Sequence, residues 1–302
     1  MKKVSVILTT YNSSLNIEKT INSILNQDGV NVNFKIELLI IDDCSKDNTF
    51  EILKKFDAKI FSTNLNSGGP NKGRNIGLKN VSGDYICIAD HDDIWHSDKI
   101  LTLLPFLEKV NIVSSGFTIL DIKNKKQIER VSKFKDDFIY FKQNLTFLDR
   151  LIKSSKGQNT YLGSLIYSSK LKDILFEEHF GMIDYDWGLR LFHENESIEI
   201  CKSLYDRVVE GENLSLNENY RKIDYYYSLL FIENYQEKYP KEVRKSIKKI
   251  NSIRAKYYYV TYNMKKSRYF FLKSEFNLKN IFYYFTTFVG AKFVIKKFKV
   301  FG

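Results

Sequence analysis

Short apolar runs alternate with segments of helical periodicity over residues 1–110. Runs of four to eight residues rich in β-branched side chains are typical of buried strands, and apolar residues recurring every three or four positions are typical of amphipathic helices. This alternation predicts an α/β fold with a parallel, Rossmann-like sheet and helices on both faces. The predicted strands cover residues 4–9, 34–41, 59–62 and 85–89.

Three of these strands end in polar residues. The ends are Thr9–Asn12, Asp42–Asp43 and Asp90–Asp93. Ligands of open parallel sheets bind beyond the carboxyl ends of the strands. We therefore predict that these three ends line one binding site.

The last of these ends, Asp90-His91-Asp92-Asp93, concentrates three carboxylates. If the chain stays extended through Asp92, then Asp90 and Asp92 point to the same side. Such a pair of carboxylates suits Mg²⁺ or Mn²⁺ carrying phosphates. The alternative is a polar turn that caps the following helix, in which Pro105 predicts a kink or an early stop.

A glycine-rich stretch, Asn66–Gly77, is predicted to be a loop that enters a helix through Leu78. It matches neither the dinucleotide-binding pattern nor a P-loop. Arg74 could contact a nucleotide or a phosphate from this loop. The alternative is a flexible surface turn.

The middle of the chain predicts further strands at 111–120 and 161–167, a hairpin or exposed loop at 121–137 and a helix at 147–152. Asp184 and Asp186 then precede an amphipathic helical run. Acidic residues stabilise the first turn of a helix through its dipole, and that alone could explain both residues. The functional alternative is a general base presented from a helix start.

The overall composition is that of a soluble globular protein, with 43% hydrophobic and 27% charged residues. Three cysteines without a Cys-x-x-Cys pair disfavour a disulfide framework, which suggests a reducing, cytoplasmic setting. No signal peptide is recognised at the N-terminus, and no apolar run is long enough for a transmembrane helix.

The last 84 residues differ from the rest. Residues 219–302 contain 19 Lys/Arg and 5 Asp/Glu, and 23 of the 45 aromatic residues. We therefore divide the chain into a catalytic domain, 1–218, and a helical, basic and aromatic extension, 219–302. The extension is expected to bind an anionic membrane surface, on the inner face of the cell membrane, or to pack its aromatics on the catalytic domain. Nucleic-acid binding is not expected, since no such motif accompanies the basic residues.

The periodicity of the extension predicts one continuous helix near its end. Phe282, Phe285, Val289 and Phe293 would lie on one face of this helix, and Lys292, Lys296 and Lys299 would form a second stripe.

Taken together, the motifs resemble those of family 2 glycosyltransferases, which have the GT-A fold. The resemblance covers about the first 215 residues, and the motifs occur in the family's order. They are Val-Ile-Leu-Thr-Thr-Tyr-Asn12, Ile-Ile-Asp-Asp-Cys-Ser-Lys-Asp-Asn-Thr49, Gly-Arg-Asn-Ile-Gly77, Ala-Asp-His-Asp-Asp-Ile-Trp95 and Ile-Asp-Tyr-Asp-Trp-Gly-Leu-Arg190.

The resemblance implies transfer of one sugar, with inversion, from a nucleotide-diphosphate sugar to a glycan or lipid-linked acceptor, assisted by Mn²⁺ or Mg²⁺. A UDP-sugar is the favoured donor. It also implies a role for individual residues. Thr9, Tyr11, Asp42, Asp43 and Arg74 would bind the nucleotide; Asp92 would hold the metal; Asp90 would bind ribose or metal-bound water; and Asp184 would be the general base.

The chain departs from the family pattern at one element, which the family resemblance assigns to the site of the donor's pyrophosphate. Family members often carry Arg-x-His after the base helix, whereas this chain keeps Arg207 without the histidine, so Arg207 is the remaining candidate. The absence of Gln-x-x-Arg-Trp argues against a processive polymerase. The alternatives to a glycosyltransferase are a sugar-1-phosphate nucleotidyltransferase and a catalytically inactive, membrane-bound scaffold.

Overall fold

A computed structural model of the chain describes residues 1–154, 157–179, 183–209, 217–298 and 300. These residues form two compact units. The sheet unit comprises residues 1–147 and 157–211, and the helical unit comprises residues 148–156 and 212–302.

The described residues contain ten strands and eleven α-helices. The strands are β1 Lys2–Thr10, β2 Phe34–Asp42, β3 Lys59–Ser62, β4 Tyr85–Asp90, β5 Asp93–Trp95, β6 Ile112–Asp121, β7 Lys126–Arg130, β8 Phe138–Phe141, β9 Ile166–Ser168 and β10 Ser197–Val209. The helices are α1 Ile17–Leu25, α2 Thr49–Leu53, α3 Pro70–Asn80, α4 Lys99–Leu103, α5 Leu145–Leu151, α6 Tyr185–Phe192, α7 Glu218–Glu233, α8 Pro240–Val260, α9 Met264–Leu272, α10 Leu278–Thr286 and α11 Ala291–Lys297.

The strands form one sheet in the order β3-β2-β1-β4-β9-β6-β10-β5, with β7 beside β6 and β8 beside β10. The first four strands along the chain are parallel to one another, as the sequence predicts. The remainder of the sheet is mixed, because β5, β7, β8 and β9 pair antiparallel with their neighbours. The α/β fold with a Rossmann-like first half is therefore confirmed.

Helices cover both faces of the parallel strands. Side chains alternate along β1, so that Val4, Val6 and Leu8 share one core with the buried isoleucines of α1. Ile7 points to the other face, where α3 crosses the strand. A Cβ at Gly77 of α3 would lie only 2.5 Å from Ile7 Cγ2, so only glycine permits this close approach.

The predicted loop over Asn66–Gly77 is wrong in its second half, because α3 already begins at Pro70. Proline is well suited to the first turn of a helix, since its missing N–H would have no partner there. Gly73 and Gly77 weaken the local helical preference, but they face β1 and β2 at helical spacing, and tight packing compensates.

Three other predictions along the sheet unit are confirmed or refined. Residues 126–130 form the second strand of a hairpin with β6. The helix after Ser97 ends early, as Pro105 predicts, and continues as a 3₁₀ turn over Leu104–Glu108. The strand predicted at 161–167 is shorter, because Leu162–Ser164 forms a 3₁₀ turn before β9.

The helical unit has a core of its own. Ala255 and Tyr259 of α8 pack with Phe271 of α9, Tyr283 of α10 and Val294 of α11. The rings of Tyr259 and Tyr283 lie 5.4 Å apart between centroids. Part of the unusual aromatic content of this region is therefore core rather than surface.

The single terminal helix predicted over Phe282–Phe293 is wrong, because the chain turns between α10 and α11. Gly290 adopts φ +91°, a left-handed conformation that ends the helical path and that other residues rarely adopt. Lys299 lies outside the described residues. No helix in the described ranges is both long enough and apolar enough to cross a membrane.

A hydrogen-bond network centred on Glu37 connects three strands of the sheet unit. The Glu37 carboxylate accepts hydrogen bonds from Ser5 of β1, Lys59 of β3 and both the hydroxyl and the backbone N–H of Ser82. Burial raises the pKa of Glu37, but these hydrogen bonds outweigh it and lower that pKa from 4.5 to about 2.

This network predicts an acid-dependent loss of stability. The folded-state pKa of Glu37 lies below the unfolded value, so its contribution is complete above pH 4.5 and is lost as the pH falls toward about 2. We expect Glu37→Gln to lower the free energy of unfolding by about 1–2 kcal/mol at neutral pH. Urea unfolding from pH 7 to pH 3 should show this difference shrinking at low pH; a constant difference would contradict the prediction.

Candidate active site

The carboxyl ends of β1, β2 and β4 lie side by side. In the strand register Thr9 is paired with Asp90 and Thr10 with Asp42. The backbone N–H of Asp43 donates to the Thr10 carbonyl over 2.9 Å, which extends the pairing one residue beyond β1. Thr9, Asp42, Asp43 and Asp90 therefore share one edge of the sheet.

Asp42 and Asp43 are both buried and shape the loops that follow β2 and β3. Asp42 accepts from the backbone N–H of Ser45 over 3.0 Å and from its hydroxyl over 2.5 Å. Asp43 accepts from the Thr63 hydroxyl over 2.6 Å and from the backbone N–H of Ser67 over 3.0 Å. Asp43 therefore fixes the loop that leads into α3.

The loop after β1 is fastened to the loop after β2. The backbone N–H of Asn12 donates to the Ser45 hydroxyl over 2.9 Å, and the Asn12 amide oxygen accepts from the backbone N–H of Lys46 over 2.8 Å. Asn12 has φ +47°, a conformation that asparagine tolerates better than most residues. Tyr11 precedes this turn, and its side chain is 39% exposed, so its ring is accessible to a ligand.

Arg74 is the charged centre of this edge. It lies on the buried face of α3, and its Nη2 donates to Asp90 Oδ1 over 2.9 Å. Its Nη1 donates to the Asn71 amide oxygen over 3.1 Å, and its guanidinium lies 5.3 Å from the ring centroid of Phe176. Arg74 thus joins the end of β4 to residues that precede α6.

Two asparagines on α3 hold the segment that leads to α6. The Asn71 amide donates to the carbonyls of Glu177 and Ile183, each over 2.9 Å. Asn75 exchanges two hydrogen bonds with the backbone of Phe176 over 2.7 and 2.8 Å. The residue after Ile183 is Asp184, so α3 fixes the backbone immediately before this carboxylate.

A residue of α6, Trp187, also contacts the segment that precedes this helix. Trp187 stacks on Phe176 with centroids 4.5 Å apart, and its indole N–H donates to the Ile174 carbonyl over 2.8 Å. Phe176 therefore contacts both the Arg74 guanidinium and the Trp187 ring. Through this ring, the packing of α6 is connected to the residue that binds Asp90.

The two acidic residues at the start of α6 have different surroundings. Asp184 occupies the N-cap position and is exposed, but its side chain makes no capping hydrogen bond. Asp186 is buried and accepts from Arg190 Nη2 over 2.6 Å, while burial raises its pKa. Helix capping therefore does not explain the Asp184 side chain, whereas Asp186 is part of the packing of α6.

The acidic stretch after β4 turns sharply. Extended structure ends at Asp90, and His91 and Asp92 form a turn before β5 begins at Asp93. The condition under which Asp90 and Asp92 would share a side by strand alternation is therefore not met. Antiparallel pairing of β5 with β10 places Arg207 opposite Asp93. Arg207 thus lies at the acidic turn, where its guanidinium also stands 5.4 Å from the Tyr161 ring centroid.

Crowding of like charges distinguishes this turn electrostatically. Burial raises the pKa of Asp92, and the neighbouring Asp90 carboxylate raises it further, against the opposing effects of His91 and Arg207. Burial raises the pKa of Asp93 well above its ordinary value, with added contributions from Asp90 and Asp92. A bound cation would relieve this repulsion.

Beneath the turn lies a buried lysine. Lys99 donates to the Gly163 carbonyl, and its ammonium is 3.8 Å from the Trp95 ring centroid. Burial lowers the pKa of Lys99 to about 8, although Asp93 opposes this shift. A Cβ at Gly163 would lie 2.5 Å from Asp93 Oδ2, so the glycine leaves room for this carboxylate.

No group of three or more His, Cys, Asp or Glu side chains that could hold a metal ion occurs in the ranges that the structure describes. Mg²⁺, however, commonly binds one or two protein carboxylates and completes its shell with water and substrate phosphates. Asp92 and Asp90 offer such a donor set of hard oxygens. The residues present therefore fit a divalent cation that is shared with a phosphate ligand.

Sequence reasoning missed several of these residues. Asn71 and Asn75 lie four positions apart in a stretch whose glycines predict a loop, so the sequence does not indicate that they share a helical face. No local sequence pattern marks Phe176 or Gly163 as part of the site. Lys99 lies in a segment whose apolar spacing predicts an ordinary amphipathic helix, so the sequence does not indicate that this lysine is buried.

Curated proteins provide the first comparison. The chain is 31% identical to the poly(ribitol-phosphate) β-N-acetylglucosaminyltransferase TarS of Staphylococcus aureus over 176 residues, which cover 48% of this chain and 30% of TarS. It is 41% identical to TarP, an enzyme of the same description from the same organism, over 100 residues, which cover 32% of this chain and 30% of TarP. The matched segments thus span about a third of each relative.

Solved structures show the same fold. The crystal structure of S. aureus TarS 1–349 matches with a TM-score of 0.63 at 18% identity, covering 98% of this chain and 92% of that chain. The same protein in complex with UDP-GlcNAc matches with a TM-score of 0.60 at 19% identity, covering 97% and 92%. The GT-A fold expected from the sequence motifs is therefore confirmed.

A family model provides the remaining comparison. The model described as glycosyl transferase family 2 matches residues 5–175, which is more than half of the chain and contains the ends of β1, β2 and β4, α3 and the acidic turn. The chain belongs to glycosyl transferase family 2.

Proposed function

We propose that this chain transfers a sugar, with inversion, from a UDP-sugar to a glycan or lipid-linked acceptor. The observation that carries the proposal is a hydrogen-bonded path across the site. It runs from Asp90 through Arg74 and Asn71 to the carbonyl of Ile183, next to Asp184. A donor-binding acid and a candidate base are thereby held by one helix.

The choice of donor rests on the relatives. TarS and TarP are described as N-acetylglucosaminyltransferases, and TarS has been crystallised with UDP and with UDP-GlcNAc. UDP-GlcNAc is therefore the donor to test first. In this proposal the exposed Tyr11 ring packs on the base, and Thr9 and Asp43 border the nucleoside, while Asp42 keeps the adjoining turn in place.

The diphosphate would lie over the acidic turn. Asp92 and Asp90 would hold Mn²⁺ or Mg²⁺, which when bound neutralises charge that develops on the leaving diphosphate. Arg74 and Arg207 flank this turn and are suited to hydrogen-bond phosphate oxygens. Asp90 would also orient the ribose or a water molecule.

Asp184 would act as the general base. In a direct displacement, an acceptor oxygen forms a bond to the anomeric carbon while the bond from that carbon to the diphosphate oxygen breaks. The acceptor proton passes to Asp184, and the configuration inverts. An exposed carboxylate that does not cap its helix, on a backbone fixed by Asn71, is suited to this role.

The acceptor proposal rests on the surface of the helical unit. Seven apolar side chains between residues 276 and 293 are exposed, including Phe276 at 93% and Val289 at 82%. Exposed large apolar side chains at such a density along the chain point to an interaction site. The seven residues, which we call the apolar ridge, are Phe276, Leu278, Phe282, Phe285, Phe288, Val289 and Phe293.

Four exposed lysines, Lys279, Lys292, Lys296 and Lys297, accompany the ridge on α10 and α11. No acidic residue occurs between Glu275 and the end of the chain. Aromatic side chains insert at the boundary of head groups and acyl chains, and lysines attract anionic lipids. We propose that the ridge binds an anionic bilayer, which would bring the enzyme to a lipid-linked acceptor.

The first prediction of the proposed function concerns Asp184 and Asp92. We expect wild-type protein to release UDP from UDP-GlcNAc in Mn²⁺, slowly with water and faster with acceptor. Asp184→Asn should lower the acceptor-dependent rate by about 10²–10⁴-fold, as for loss of a general base. Asp92→Asn should abolish the dependence of that rate on Mn²⁺.

The matched control is Asp57→Asn, which removes an exposed carboxylate outside the site and should leave the rate unchanged. Wild-type rates retained by Asp184→Asn would contradict the assignment of the base. No turnover by the wild type with any nucleotide sugar would support the inactive-scaffold alternative.

The second prediction tests the path through α3. Asn71→Ala removes the donor to two backbone carbonyls, of Glu177 and Ile183, and the acceptor for Arg74, so we expect a loss of about 1–3 kcal/mol in the free energy of unfolding. The rate of UDP release should also fall. Asn80→Ala is the control, since Asn80 is exposed on the same helix and its side-chain amide donates to the Ile76 carbonyl of that helix. A destabilised Asn71→Ala protein with wild-type turnover would show that the path does not position Asp184.

The third prediction tests membrane binding by sedimentation with vesicles. Wild-type protein should bind vesicles of phosphatidylglycerol and phosphatidylcholine, and binding should weaken with salt and with less anionic lipid. Phe285→Ser with Phe288→Ser should reduce binding without changing donor hydrolysis in solution. Leu15→Ser, which removes a 94% exposed apolar side chain from the sheet unit, should bind like the wild type. Equal binding by all variants would overturn the proposal.

A further inference from the structure

The proposed function assigns no role to Tyr161, an exposed residue beside the acidic turn. Tyr161 is 48% exposed, and its ring centroid lies 5.4 Å from the guanidinium of Arg207. Arg207 is the residue that the sheet register pairs with Asp93 of the acidic turn. A large, accessible aromatic side chain at this position can contact whatever binds over the turn.

The segment that carries Tyr161 is fastened to the same end of the sheet. Because β9 runs antiparallel to β4, the residues just before β9 lie at the carboxyl end of β4. The Tyr161 carbonyl accepts hydrogen bonds from the backbone N–H and the hydroxyl of Ser164 over 2.9 and 2.6 Å. Gly163 packs so closely on Asp93 that a Cβ at the glycine would lie 2.5 Å from Asp93 Oδ2. The backbone of Tyr161 is therefore held next to the acidic turn.

The ring of Tyr161 is also fixed in position. Its centroid lies 4.6 Å from that of Phe117, a buried residue of β6, at an interplanar angle of 55°. Phe117 in turn stacks on Tyr205 of β10, with centroids 5.3 Å apart. The Tyr161 ring thus rests on the core of the sheet unit while about half of the residue stays accessible. A side chain that is ordered before a ligand arrives loses less entropy when the ligand binds.

The order of the strands indicates which part of a nucleotide sugar would meet this ring. The strands that carry the candidate nucleoside residues, β1 and β2, lie on one side of β4, whereas β9, β6 and β10 lie on the other side. In a nucleotide sugar the diphosphate stands between the nucleoside and the sugar. With the nucleoside at β1 and β2 and the diphosphate over the turn after β4, the sugar extends toward β9 and β6, where Tyr161 lies.

We infer that the Tyr161 side chain contacts the sugar ring of the donor and contributes to the selection of that sugar. This inference rests on the proposed function, because it uses the proposed position of the diphosphate. The faces of a pyranose ring expose C–H groups, against which an aromatic ring can pack. Tyrosine supplies such a contact area with little loss of conformational entropy, and its hydroxyl can hydrogen-bond a sugar hydroxyl at the same time.

The test compares the binding of UDP and of a UDP-sugar to the full chain by titration calorimetry in Mn²⁺. The UDP-sugar is the one among UDP-GlcNAc, UDP-glucose and UDP-galactose that the wild type binds most tightly. Tyr161→Ala should raise the Kd of this UDP-sugar about tenfold, which corresponds to about 1.4 kcal/mol, and should leave the Kd of UDP unchanged. A merely structural role would weaken both ligands, so the difference between them is the readout.

Two further variants of Tyr161 make the result specific. Tyr161→Phe keeps the ring and removes the hydroxyl. Retention of the wild-type Kd by this variant assigns the contact to the ring, and a loss of UDP-sugar binding equal to that of Tyr161→Ala assigns it to the hydroxyl. Tyr161→Leu keeps an apolar side chain against Phe117, and it replaces Tyr161→Ala if the melting temperature shows that the alanine variant is poorly folded.

Two other tyrosines serve as comparisons. Tyr140→Ala removes a tyrosine that is 44% exposed on β8, where it pairs with Ile198 at the opposite end of β10 from Arg207. This variant should bind both ligands like the wild type. Tyr11→Ala should weaken UDP and the UDP-sugar alike, because Tyr11 is proposed to pack on the base that both ligands share.

Two results would overturn the inference and leave the proposed function intact. One is an unchanged Kd of the UDP-sugar in the folded Tyr161→Ala or Tyr161→Leu protein. The other is an equal loss of UDP and UDP-sugar binding in that variant, since this would place the effect of Tyr161 on the nucleotide. A wild-type protein that binds neither UDP nor any of the three UDP-sugars would overturn the proposed function, and the inference with it.

Discussion

The ion pair between Arg74 and Asp90 is the interaction on which the site depends. It joins the strand that ends in the acidic turn to the helix that fixes the backbone before Asp184. Arg74 is almost fully buried, and an unpaired charge at this position would strongly destabilise the folded protein. The positions of its hydrogen-bond partners are therefore as restricted as that of Arg74. The geometry of the site is therefore established when the sheet unit folds.

This ion pair requires α3 to lie close to the sheet. Gly73 and Gly77 permit the close approach, and Asn71 and Asn75 use it to hold the segment before α6. A helix further from β1 would not bring Arg74 to Asp90. The same residues that lower the helical preference of this stretch are thus the ones that build the site.

Much of the fold was predictable from the sequence, because the β-branched runs of β1, β2 and β4 are buried on both faces and carry a strong local signal. The errors have physical causes. Tertiary packing overrides the weak helical preference of Pro70–Gly77, and a turn at His91–Asp92 replaces the assumed extended structure. In the extension, one left-handed glycine, Gly290, interrupts an otherwise uniform period. The strand-end acids could be identified from sequence, but Asn71 and Phe176 could not, since the hydrogen bonds that join α3 to the segment before α6 connect residues more than 100 positions apart.

Both tryptophans of the chain, Trp95 and Trp187, belong to the sheet unit and are buried. The aromatic residues of the helical unit are all tyrosine or phenylalanine. Indole emission thus reports on the sheet unit alone. Trp187 also stacks on the ring that contacts Arg74. The protein therefore carries an intrinsic optical probe near the candidate base, and the proposed binding of a nucleotide can be tested by fluorescence without attaching a dye.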